Sequence, residues 1–172
     1  VKLSRRIRYW YWRVTRLRGT PHELALGLTV GVFAGCMPIL PFQTALAIAL
    51  AIPLRASKIT ALLGTWVSNP LNWWLLYLYS HKLGAFVLGI PNGNGVFRSI
   101  LGMIQRGEEP MDIAMQILGA GGETVAAFLL GGIMIGTVFA LPSYVISVRL
   151  FGFFQEVRRR RREKRAARRR SA

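Results

Sequence analysis

The sequence predicts an all-α integral membrane protein: an N-terminal interfacial amphipathic helix, two broken or re-entrant helical hairpins, and one long C-terminal transmembrane helix. Three observations predict it. The 172 residues are 52% hydrophobic yet carry a formal net charge of +16, a pairing foreign to an ordinary soluble domain. The charge is segregated, crowding 2–18 and 158–170 while 24–54, 59–80 and 124–148 are free of it. Prolines interrupt two of those apolar runs, and a proline inside a helix removes a backbone donor and clashes with the preceding turn. The natural division is a basic amphipathic helix over 1–19, a membrane domain over 20–157, and a basic cytoplasmic tail over 158–172, read as disordered.

In the first segment Ile7, Trp10, Tyr11, Val14 and Leu17 recur at helical spacing, with Arg6, Arg8, Arg13 and Arg16 elsewhere around the helix. The aromatic run YWYW suits headgroup depth and the arginines suit anionic lipid. Gly19, Thr20 and Pro21 break the chain and start the next helix, which is expected to remain as a membrane helix because no cleavage-like polar stretch follows it. Residues 24–40 make about 25 Å of helix, a little short of a hydrocarbon core. Pro38 and Pro41 then forbid continuation, and 41–54 form a second apolar helix of about 21 Å, ended by Arg55 and Lys58. Such lengths fit a re-entrant hairpin better than two full spans.

The second unit repeats the plan loosely. One apolar piece covers 59–68 and another 71–79, broken at Asn69 and Pro70. That break is either a hairpin tip, in which case 83–90 help make the outward crossing, or a kink in a crossing helix. Residues 81–123 are weakly apolar and rich in turn formers, with a short amphipathic helix over 111–118, and their acids suit a periplasmic or interfacial stretch. The clearest span is 124–148, about 37 Å of helix with Pro142 near its end. Both basic ends are expected on the cytoplasmic side of a bacterial inner membrane.

The stretch from His22 to Gly84 resembles a bacterial inner-membrane family known as domain-of-unknown-function family 2062. The resemblance rests on Gly27, Gly31 and Gly35, then Pro38, Pro41 and Gln43, then Gly64, Thr65, Trp66, Asn69 and Pro70. It implies an envelope membrane protein, with some relatives fused to glycosyltransferases that act on lipid-linked sugars. It brings no known reaction.

Two kinds of constellation stand out from the residues themselves. Gly27, Gly31 and Gly35 fall four apart on one helix face, where they permit close backbone approach, and Gly132 and Gly136 on the last helix offer a partner face. The breaks at Pro38, Pro41 and Pro70 bring free backbone groups to bilayer depth, lined by Gln43, Thr44, Thr65, Ser68, Asn69 and Asn72. These polar residues either line a substrate site or satisfy one another and the freed backbone.

The first alternative predicts a transporter-like or flippase-like protein for a lipid-linked or amphipathic envelope substrate. The second predicts a noncatalytic accessory or scaffold subunit of a larger membrane complex. No catalytic set, cofactor or metal is expected: His22 and His81 are too few and too far apart, Cys36 is a lone buried thiol, and Glu23 and Glu123 sit where a helix dipole favours a carboxylate. Expected partners are membrane lipids, anionic at the basic ends, and either further copies of the chain or the other subunits of a membrane complex. Nucleic acid is the lesser reading of the tail, which no folded recognition module accompanies.

Overall fold

Thr20 opens the first helix of the computed structural model, which describes residues 19–39, 42–68, 72–90 and 94–170. The amphipathic helix expected over 1–19, apart from Gly19, lies outside the described residues, as do Pro41, Asn69 and Pro70. Every regular element among the described residues is helical.

Helix α1 (Pro21–Cys36) starts with a reciprocal cap: Glu23 N–H donates to Thr20 Oγ1 and Thr20 N–H to Glu23 Oε2, both at 3.2 Å. It stops short of Pro38. Helix α2 (Gln43–Ala51) follows the break and ends in a turn where Arg55 has φ +52°. Helix α3 (Lys58–Gly64) is capped by Ser57, whose own N–H donates to Glu23 O at 3.0 Å, so α3 begins level with the start of α1. A 3₁₀ turn (Thr65–Val67) extends it.

Helix α4 (Trp73–Leu88) is nearly twice as long as the apolar piece expected over 71–79. The polar triplet at 80–82 does not end it, because Ser80 and His81 turn inward against the last helix while Lys82 points outward. Gly89, in the left-handed region at φ +65°, does. Helices α5 (Asn94–Gln105) and α6 (Pro110–Gly119) follow; the second matches the expected amphipathic piece, and the first forms in a stretch whose turn formers predict no helix. Ile100, Ile113 and Ile117 close over Tyr77 and Phe128 in one buried cluster.

Helix α7 (Gly122–Arg170) is the one helix among the described residues long and apolar enough to cross a bilayer, over Gly122–Arg160. No charge interrupts it between Glu123 and Arg149. The core helix of a soluble protein would hide such a run, yet only 39% of its most apolar window is buried, and Val138, Phe139, Leu141, Ile146 and Phe153 stand exposed.

The basic segment expected as a disordered tail instead continues the same helix to Arg170. Opposite charges one turn apart support it: Glu156 meets Arg160 at 2.8 Å and Arg159 at 3.3 Å, and Arg159 reaches Glu163 at 3.5 Å. Arginine and alanine, which dominate the remainder, are good helix formers.

Both α1 and α4 run antiparallel to α7. At one end of α1, His22 Nδ1 lies 2.9 Å from Tyr144 Oη, and Gln155 Nε2 donates to Gly19 O at 2.8 Å. At the other, Phe33 abuts Gly136 and Pro38 abuts Gly132. Along α4, Ser80 abuts Gly131 and Gly84 abuts Ala127. Helix α3 runs parallel to α1 on its other side, and α2 packs on α1 and α3.

Candidate functional site

The described residues that flank the two helix breaks meet at one level of the fold. Thr65, at the start of the turn before the second break, sits on Gly35, just before the first; a Cβ built on Gly35 would stand 3.1 Å from Thr65 Cα. Cys36 at the end of α1 clusters with Val32 and Ile135 of α7, and Leu76 near the start of α4 packs on the same cluster. Ile135 therefore marks the height of the residues that flank both breaks. Helix α2 also touches the 3₁₀ turn.

Glycine makes this convergence possible. A Cβ on Gly27 would collide with Ser57 O and Thr60 Oγ1, and one on Gly31 with the Ala61 carbonyl. The row at Gly27, Gly31 and Gly35 is thus apposed to α3 and its turn. Gly132 and Gly136, expected from sequence to offer the opposite face of that row, serve a different contact, with Phe33 on another side of α1 and with Pro38 just past its end. Spacing identifies a close-packing face but carries no information on which helix fills it.

Local turns satisfy much of the backbone that the breaks release. At the first break Met37 N–H donates to Ala34 O (3.1 Å), Ile39 N–H to Met37 O (2.9 Å) and Phe42 N–H to Ile39 O (2.7 Å). At the second, Ser68 N–H donates to Thr65 O at 3.2 Å and Asn72 Nδ2 to Val67 O at 2.7 Å. Thr65 is buried and its hydroxyl donates to Leu62 O at 2.7 Å.

The six polar residues singled out from sequence divide accordingly. Thr65 and Asn72 bond to nearby carbonyls, Ser68 is half-buried, Thr44 is exposed, and Asn69 lies outside the described residues. Gln43 is the exception. Its Oε1 is buried with no hydrogen-bond partner, at the first turn of α2, where no side chain caps the helix.

Sequence reasoning missed Ser80 and His81. Ser80 is fully buried with an unpartnered Oγ, and the His81 ring packs 5.0 Å from Phe128. The signal available was Gly84, one turn beyond Ser80, which marks a close-packed face through that part of the chain. Glu23 is engaged in capping α1, and Cys36 is buried.

The family described as "Uncharacterized protein conserved in bacteria (DUF2062)" matches residues 4–162, so the chain belongs to it. No curated protein and no solved structure matches the chain.

Proposed function

We propose that this member of the family is a multi-pass protein of the bacterial inner membrane, transporter-like or flippase-like, whose paired helix breaks form a midplane polar site. Its substrate in this reading is lipid-linked or amphipathic, with the headgroup entering between the breaks. The observation that carries the proposal is their common height on α7. At 1.5 Å per residue, Ile135 stands about 21 Å from Arg149 and about 18 Å from Glu123, near the middle of the charge-free run. Backbone breaks at such a depth persist only when covered by protein or lining a wet cavity. The buried, unpartnered Oε1 of Gln43 is an acceptor ready for a hydroxyl or ammonium donor.

The reading arranges α1 and α2 as a re-entrant hairpin from the cytoplasmic side, α3 and α4 as a broken outward crossing, and α7 as the return. Arg55 and Lys58, flanking the Ser57 that bonds Glu23, join the two basic ends on the cytoplasmic face. Anionic lipid meets those ends. Exposed Phe42 just before α2, Ile59 and Leu62 on α3, and Trp66 on the turn suit further copies of the chain or a larger complex.

A noncatalytic accessory subunit is the second reading, favoured by the local bonding of Thr65 and Asn72. The two separate in vesicles holding the purified protein and a headgroup-labelled phospholipid, with dithionite added outside. A flippase-like protein exposes inner-leaflet label to the quencher, and Gln43→Ala abolishes that exposure while folding normally. Label protected as in protein-free vesicles favours the accessory reading.

A further inference from the structure

Helix α4 carries a lysine at a depth where an apolar crossing has no use for one. Contacts of Ser80 with Gly131 and Gly84 with Ala127 set Lys82 at the height of position 129 of α7. At 1.5 Å per residue that is about 9 Å short of Glu123, inside the charge-free run. Tyr77, Ser80, His81 and Ala85 occupy the buried side of α4. The opposite side presents Tyr79, Lys82 and Phe86 at i, i+3 and i+7, with Tyr79 53% and Phe86 84% exposed. Among the described residues no carboxylate pairs with Lys82, whereas Arg106 is held by Glu108 at 2.8 Å.

Taking the membrane orientation above as given, we propose that the Tyr79, Lys82 and Phe86 face of α4 anchors the phosphate of an outer-leaflet phospholipid. A lone ammonium facing lipid is costly unless its flexible stem carries it to the headgroups, and Lys82 lies within one to two helical turns of that boundary. There it meets phosphate as a strongly hydrated point charge with three donors. Phe86 lies on the outer side of Lys82 and Tyr79 on the inner side, so apolar surface borders the ammonium along the helix and leaves the lipid side open.

The test uses the full chain in two arms. In a Cys36→Ser background, Glu123→Cys, at the exposed outer boundary toward which Lys82 reaches, is offered a membrane-impermeant thiol reagent in intact cells. In detergent, native mass spectrometry follows retention of added phosphatidylglycerol by the wild type, Lys82→Ala, Lys82→Arg and, as a control at the other end, Lys58→Ala. The expected result is labelling from outside, with about fivefold less lipid retained by Lys82→Ala and near-normal retention by Lys82→Arg and Lys58→Ala. Labelling from outside with retention unchanged in Lys82→Ala, or equally lost in Lys82→Arg, overturns the anchoring surface alone. Labelling only from the cytoplasmic side overturns the orientation and this proposal with it.

Discussion

Gly31 of α1 and Gly64 of α3 face each other so closely that a Cβ on either would stand 2.7 Å from the other's Cα. No side chain fits there without moving a backbone. Gly31→Ala is therefore expected to push α3 and its turn off α1, lowering stability by about 1–3 kcal/mol as overpacking does. Thermal unfolding of the purified protein in detergent reads the loss. An unchanged midpoint would mean that the two helices slide apart freely, and the convergence of the breaks would lose its support.

Gly152 makes the opposite case. A Cβ there meets nothing within 4 Å, and the residue lies inside α7 without a positive φ. Gly152→Ala removes backbone freedom from the unfolded chain at no steric cost and is expected to stabilise by about 0.5–1 kcal/mol. The same unfolding measurement checks it. A lowered midpoint would indicate that another helix, from a second copy, presses on this position.

Gln43 combines a structural cost with a proposed use. A buried acceptor without a donor costs about 1–3 kcal/mol, so Gln43→Leu, which removes it, is expected to leave the melting midpoint unchanged or higher. Transport of the labelled lipid is expected to fall in the same variant. A destabilised Gln43→Leu would mean that the amide is already satisfied in the folded protein, and it would leave the site without its one free acceptor among the described residues.

Much of this architecture is written locally in the sequence. The capping box at Thr20 and Glu23, the prolines after Cys36 and Ser68, and the charge-free run of α7 each act over a few residues, and a reader of residues alone can find them. What escaped depends on contacts across the chain. Helix α4 runs through Ser80, His81 and Lys82 because two of them are buried against Phe128 and Gly131, an environment that no local pattern announces. Gly27, Gly31 and Gly35 mark a face while their neighbours, Ser57 to Thr65, are set by a loop that returns α3 to the start of α1. Thr65 and Asn72 looked alike as site candidates with Gln43. Only hydrogen-bond geometry separates groups already bonded to Leu62 O and Val67 O from one left over.

The membrane arrangement can be tested without knowing the substrate. Arg55 follows α2 in the turn beside the start of α1, where His22 bonds Tyr144, while Glu123 stands in the first turn of α7, at the other end of its charge-free run. About 30 Å of charge-free α7 separates the two levels, enough for a hydrocarbon core. In a Cys36→Ser background, Glu123→Cys is expected to react with a membrane-impermeant thiol reagent added to intact cells, and Arg55→Cys to react only after the membrane is opened. Both positions are exposed, so protein burial does not confound the comparison. Equal labelling of both from one side would put the breaks in water rather than in lipid. Their freed amides would then need no covering, and the argument for a polar site at Gln43 would go with them.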